Sequence, residues 1–180
     1  MDSADRAGSS AVGNKVDGRL RDIREADLPK LLAHRNEIET RRWLGVGNAI
    51  TDSQHRAWFD GLSKPGFSRY AIFVADGVDV GLIRVTHIDA EEGTAFVGAD
   101  VFSEHRGKGY GSDVFEAAMG EAITLGATKK LYLKVFVDNE RAVHIYTCAG
   151  FTIDQDYPVD FLFRLGSPRA YVLMQKDLFS

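Results

Sequence analysis

Apolar and polar positions alternate along this chain with two different periods, and the switches between them mark out the elements. In Arg19 to Arg24 (RLRDIR), Leu20 and Ile23 stand among charges as an imperfect strand. Asp27 follows at an N-cap position, with Pro29 in the first turn of a helix carrying Leu28, Leu31 and Leu32. Thr51 and Gln54 have capping-box spacing ahead of a second helix whose Trp58, Phe59 and Leu62 share one apolar side. YAIFVADGVDVGLIRVTHI then holds two β-rich stretches about Asp76-Gly77, a dipeptide that supplies the positive φ angles of a tight hairpin turn. A second turn at Glu91 to Gly93 leads into TAFVGADV, which makes an antiparallel meander of three strands.

Past the meander the period changes. Ser112 to Leu125 places Phe115, Ala118, Met119, Ala122 and Ile123 at helical spacing, and Gly126 lies where a C-cap is expected. LYLKVFV reads as a buried strand, and Asn139 to Ala149 as a helix closed by Gly150. FTIDQ and AYVLMQ read as strands around an FRLGSPR turn. The predicted order is β-α-α-β-β-β-α-β-α-β-β, an α/β fold of the α+β mixed-sheet kind with helices on both faces and no internal repeat. Residues 1–17 are small, polar and aperiodic, so they are expected to form a disordered tail before one domain over residues 18–180.

Composition narrows the function classes. With 180 residues, 44% of them hydrophobic, the chain is long enough for one sizeable core. A formal net charge of −4 gives no overall basic field for nucleic acid, so any positive patch is local and suits a small anion. No apolar run approaches the roughly 20 residues of a bilayer span, and the N-terminus lacks the apolar core of a secretory signal, so no membrane partner and a cytoplasmic location are expected. The single cysteine, Cys148, allows no internal disulfide. The five histidines form no ligand-spaced pair, so no metal is expected.

Candidate chemistry begins at EHRGKGYGSD, Glu104 to Asp113. A dinucleotide fingerprint requires a third glycine where this chain has Ser112, and a Walker A loop requires a glycine where it has Phe102. The stretch does match R-x-x-G-x-G through Arg106, Gly109 and Gly111, after a strand and before a helix. Glycines let the backbone approach a pyrophosphate, successive N–H groups turn toward one anion, and the helix N-terminus adds about half a positive charge, which Arg106 and Lys108 would supplement. About 30 residues on, VDNERAVHIYTCAGF gives N-x-x-A-x-x-x-Y-x-x-x-G-F through Asn139, Ala142, Tyr146, Gly150 and Phe151. On a helix Asn139 and Tyr146 differ by about 20° in azimuth, so both can face one cleft.

Together these motifs resemble the GCN5-related N-acetyltransferase (GNAT) superfamily over roughly Leu20 to Asp177. The resemblance implies two central strands that splay apart around acetyl-coenzyme A. The main chain of Asp100 and Val101 would pair with pantetheine amides. The loop Arg106, Gly107, Lys108, Gly109, Tyr110, Gly111 and Ser112 would hold the pyrophosphate, Asn139 would contact the cosubstrate and Tyr146 would be the general acid. The implied reaction is direct acyl transfer to a primary amine of a small molecule. A thiol near pKa 8.5 and a tyrosine near 10 are close enough for the phenol to protonate the departing sulfur. Glu37, His55, Asp100 and Glu104 are candidate bases, and Cys148 reads better as a small hydrophobe than as a nucleophile.

HRNEIETRRWLGVGNAITDSQHRAWF is similar to amino-sugar nucleotide N-acetyltransferases, which makes such a sugar the favoured acceptor. Arg35, Arg41 and Arg42 would serve the diphosphate, and Trp43 or His55 would stack on a ring. KLYLKVFVDNERAVHIYTCAGF is also similar to spermidine acetyltransferases, with Glu37, Glu39, Glu91 and Glu92 as an acidic seat for a polyamine. Protein N-terminal acetylation and a non-catalytic acyl-coenzyme A sensor are further alternatives. The presence of Tyr146 weighs against the sensor, and an exposed C-terminal strand edge makes a homodimer a possible assembly.

Overall fold

The computed structural model describes residues 17–62, 68–157, 159–162 and 168–179. The chain forms β1 (Gly18–Arg21), α1 (Leu28–Asn36), α2 (Ile38–Leu44), α3 (Asp52–Leu62), β2 (Ser68–Ala75), β3 (Val78–Asp89) and β4 (Thr94–Val101), followed by α4 (Gly111–Thr124), β5 (Lys130–Phe136), α5 (Glu140–Cys148), β6 (Thr152–Ile153), β7 (Asp160–Leu162) and β8 (Arg169–Asp177). All eight described strands belong to one sheet in the order β1-β2-β3-β4-β5-β8-β6, with β7 also paired to β8. Every pairing is antiparallel except β4 with β5, whose crossover α4 supplies. The tail over residues 1–16 and most of the FRLGSPR turn lie outside the described residues.

The local signals act as their chemistry requires. Thr51 N–H donates to Gln54 Oε1 at 2.9 Å and Gln54 N–H to Thr51 Oγ1 at 3.2 Å, the reciprocal bonds of a capping box. Asp76 and Gly77 both have positive φ, 50° and 78°, in the β2–β3 turn. Asp27 precedes α1 as expected, but its carboxylate accepts from Arg24 N–H at 2.7 Å and from the guanidinium of Arg21, so it fastens β1 to the helix entry. Two elements depart from the predicted order. Glu37, at ψ 138°, ends α1, and α2 follows as a separate helix that the sequence reading did not include, with no glycine or proline to announce it. The other is β7, three residues paired to β8 with Asp160 opposite Tyr171, whose hydroxyl donates to the Asp160 carboxylate.

Alternation along β2 explains why helices cover both faces. Ala71, Phe73 and Ala75 are buried on one side with Val114, Phe115, Ala118 and Ala122 of α4. Ile72 and Val74 are buried on the other with Leu31 of α1, Leu82 and Phe102, and with Trp58 of α3 packed against them. The feature that matters most for function is the short β4–β5 pairing. It runs from Thr94 with Lys130 to Phe96 with Tyr132 and stops, although β4 continues to Val101 and β5 to Phe136. Stacked Phe96 and Tyr132 rings, 5.4 Å between centroids, pin the closed end.

Candidate active site

Where the two strands part there is a cavity of about 230 Å³. Its walls are Ala99, Asp100 and Val101 of β4 and Lys134, Val135 and Phe136 of β5. β4 is bonded to β3 along one edge through Val101 but among the described residues has no strand partner on the other past Phe96, so that edge offers main-chain groups to an extended amide ligand. One of them is partly used, because Arg106 Nε donates to the Val101 carbonyl at 3.2 Å.

The glycine loop lies at the mouth of this gap. Gly107 and Gly109 have φ of 78° and 92°, values costly for any side chain, and a Cβ on either would meet nothing within 4 Å. The glycines therefore serve backbone conformation and leave open space on the ligand side. Gly111 packs against α5, where a Cβ would lie 2.9 Å from the end of the Ile145 side chain at Cδ1. From Gly111 the 14 residues of α4 begin, with their N-terminal dipole at the cavity. Arg106, Gly107, Tyr110 and Gly111 line the cavity, whereas Lys108, Gly109 and Ser112 are exposed and outside that lining. Arg106 does not present its charge to the gap freely. Its Nη2 donates to Glu37 Oε2 and to Thr40 Oγ1, both at 2.8 Å, and ties the loop to α2.

Helix α5 brings Asn139, Ala142, Ile145 and Tyr146 to the same cavity, so the expected common face is present. The motif has a local cause at each end. Asn139 Oδ1 accepts from Ala142 N–H at 3.3 Å as the N-cap, which occupies the side chain expected to contact the cosubstrate. At the other end Gly150, φ 88°, donates to the Thr147 carbonyl at 2.9 Å and Phe151 to the Tyr146 carbonyl at 3.0 Å, the paired bonds of a Schellman stop. Phe151 is thereby buried beneath Tyr146, whose ring also packs on Phe115 at 4.6 Å between centroids.

Burial pushes the Tyr146 phenol up to about 12, the Arg84 charge pulling it down and the Asp100 charge pushing it up. This corrects the value near 10 taken from the sequence. The phenol stays protonated at any working pH, and its proton affinity lies about 3.5 pH units above that of a free thiol with pKa near 8.5. Arg84, which sequence reasoning missed, is the charge that narrows this gap. It is a lone cation in the apolar run GLIRV, and that charge among apolar neighbours is the signal that could have revealed it; in the β3–β4 register it lies opposite Gly98.

A second cavity of about 450 Å³ lies across the wall formed by Arg84, Asp100 and Leu44, which line both. It is enclosed by α1, α3 and the inner strands, with His34, Arg35, His55, Trp58 and Tyr70 in its lining. Here the candidate bases separate. Glu37 is held below the usual carboxylate range by Ser103, Arg106 and Thr40, with burial working the other way, and Glu104 is held at about 2 chiefly by Lys30. Neither lines either cavity. Asp100 lines both but is paired with Arg84. His55 lines the second cavity stacked on Trp58, its Nε2 buried without a partner, and burial lowers its pKa so that the ring is neutral. Cys148 is exposed, not the buried hydrophobe expected.

The Acetyltransferase (GNAT) domain family matches residues 19–152, and the chain belongs to that family. Two curated relatives are the spermidine N(1)-acetyltransferase of Vibrio cholerae serotype O1, 30% identical over 103 residues, and that of Escherichia coli K12, 30% identical over 93. These alignments cover 55% and 52% of this chain and 59% and 50% of the relatives, so the match spans about half the length of each. In fold the chain is similar to the Vibrio cholerae spermidine N-acetyltransferase in complex with CoA and spermine, with TM-score 0.82 and 20% identity over 89% of this chain and 95% of the other. It is also similar to a dodecameric form of that enzyme, with TM-score 0.72 and 21% identity over 89% and 94%. The family is one of acetyltransferases, and the fold is shared with an enzyme whose structure holds CoA. Among the described residues no helix is long and apolar enough to cross a membrane.

Proposed function

We propose that the protein is an N-acetyltransferase that moves acetyl from acetyl-coenzyme A directly to a primary amine of a small molecule. The observation that carries this reading is the parting of β4 and β5 into a cavity with the glycine loop and the α4 N-terminus at its mouth and Tyr146 in its wall. Bound there, the cosubstrate supplies an activated thioester carbonyl. The α4 N-terminus and loop amides hold an anion, the free edge of β4 aligns amides, and Tyr146 holds a proton at Oη beside the cationic Arg84. An acyl-coenzyme A sensor would have no use for that phenol.

Two acceptor classes draw support from different observations. The relatives favour a polyamine over the amino-sugar nucleotide expected from Arg35, Asn36 and Trp43, since both curated enzymes named above act on spermidine. The residues expected to seat a polyamine are, however, dispersed. Glu37 is engaged by Arg106, Glu91 and Glu92 are exposed in the β3–β4 turn, and only Glu39 lines the first cavity. The second cavity carries two arginines against one aspartate, which favours an acceptor with a negative group. A thiol-release assay with spermidine, spermine, amino sugars, amino-sugar phosphates and N-terminal peptides decides among them. Release with none of these amines by folded, cosubstrate-binding protein contradicts the transfer reading.

A further inference from the structure

The second cavity has a charge left over. Its ionised lining groups are Arg35, Arg84 and Asp100, and Arg84 takes the carboxylate of Asp100 for itself. Arg35 Nη1 is buried and has no hydrogen-bond partner. Its other charged or polar neighbours, Arg41, Arg84 and Tyr70, offer no second carboxylate, and burial together with Arg84 lowers its pKa. The two histidines of the lining do not alter the sum, because burial lowers both and leaves them neutral. Arg35 is half-buried, and its Nη1, taken from water without a partner, is satisfied where a ligand supplies the missing acceptor.

The surroundings are built to keep that geometry. Asn36, next in the chain, exchanges two bonds with Ile50, Nδ2 to the carbonyl at 2.9 Å and Oδ1 from the N–H at 2.8 Å. Arg41 Nη1 donates to the Gly47 carbonyl at 3.0 Å. The segment between α2 and α3 is thus tied down over the cavity with Leu44 and Ile50 in its lining. On the far side His55 lies parallel to Trp58 at 4.9 Å, and Trp58 meets Tyr70 edge-on at 5.3 Å, which lines that side of the cavity with aromatic rings.

We propose that Arg35 anchors an oxyanion carried by the acceptor, so that the acceptor is a primary amine bearing a phosphate or carboxylate group rather than a polycation. This rests on the acetyltransferase reading. It adds to it a substrate class and a specificity-determining residue. The oxyanion neutralises the leftover charge, the ring or chain lies along Trp58 and Tyr70, and the amine reaches the thioester past Arg84 and Asp100, the wall shared with the first cavity. A polyamine brings two or three further positive charges into a lining that already sums to +1, counting Arg35 and Arg84 against Asp100.

The test compares matched amines on wild type, Arg35→Gln and Arg35→Lys: glucosamine 6-phosphate with glucosamine, O-phosphoethanolamine with ethanolamine, β-alanine with propylamine, and spermidine alone. Wild type favours the oxyanion member of a pair by tenfold or more in kcat/KM. The pair that responds distinguishes phosphate from carboxylate. In Arg35→Gln the preference falls below twofold, through KM of the charged member, and Arg35→Lys restores part of it. A wild-type preference for spermidine, or an undiminished preference in Arg35→Gln, overturns the proposal.

A binding arm separates this idea from the transfer reading. With coenzyme A saturating, inorganic phosphate raises the Tm of wild type and not of Arg35→Gln. An equal response in both proteins contradicts the anchor. If no amine is acetylated while the phosphate response follows Arg35, the anion site stands and the transfer reading falls. The Tm of ligand-free Arg35→Gln equals or exceeds that of wild type, because an unpartnered charge is removed. A large drop would make Arg35 a structural residue and overturn the assignment.

Discussion

Arg84 and Asp100 form an ion pair from neighbouring strands, and the pair stands in the wall common to the two cavities. It exists because of a third residue. Arg84 lies opposite Gly98, and a Cβ there would be 2.8 Å from Arg84 Nη2 and 3.1 Å from Nε, so only glycine lets the guanidinium lie flat across β4 toward Asp100.

Removing the cation tests its role. Arg84→Gln leaves Asp100 partly buried without its partner, at a cost of about 2–4 kcal/mol in stability. It also removes the charge that holds down the Tyr146 proton affinity. Single-turnover acetyl transfer should slow by tenfold or more, while calorimetry shows acetyl-coenzyme A affinity within a few-fold of wild type. Unchanged transfer would take Arg84 out of the chemistry.

Gly98→Val should reproduce much of that loss without touching either charge. The branched side chain displaces Arg84, so the expected outcome is slower turnover with the cosubstrate still bound. Activity equal to wild type would mean that the pair is dispensable.

Tyr146→Phe keeps the ring contacts with Phe115 and Phe151, and so should keep Tm and cosubstrate affinity. Turnover should fall about 10²- to 10⁴-fold. With the wild-type phenol at about 12, no loss of rate through ionisation of Tyr146 is expected up to about pH 10. An alkaline fall between pH 8 and 10 that disappears in Tyr146→Phe would contradict the buried, protonated phenol.

Much of this site was legible in the chain because its motifs are local. Gly107 and Gly109 declare their φ, Asn139 caps its own helix, and the Gly150-Phe151 stop closes on the Tyr146 carbonyl. The Arg84–Asp100 pair was not legible, since it depends on the register of β3 against β4, which no short window contains. The same holds for Arg106. Its sequence position suggests an anion contact, but the fold brings Glu37 and Thr40, more than 60 positions earlier, to its guanidinium. The break at Glu37 is equally silent, because a single ψ change separates α1 from α2.

Acid should weaken the β1 anchor in a defined window. Asp27 and Asp79 lie below the usual aspartate range, chiefly through hydrogen bonds from Arg21. Carboxyls depressed by folding contribute stability that is complete above about pH 4 and lost as pH falls through their folded values. Arg21→Gln should therefore lower Tm at pH 7, and the gap from wild type should shrink below pH 4. A gap that stays constant or widens toward low pH would contradict this assignment.

The central claim is that the parted strands and glycine loop hold coenzyme A. Isothermal titration of acetyl-coenzyme A into wild type and Gly109→Val tests it most directly, because Gly109 has φ of 92° and a side chain there reshapes the loop. Uptake at one site per chain, weakened tenfold or more in a variant whose Tm shows it folded, is the expected result. Absence of uptake by well-folded wild type, or equal affinity in the two proteins, would contradict the account.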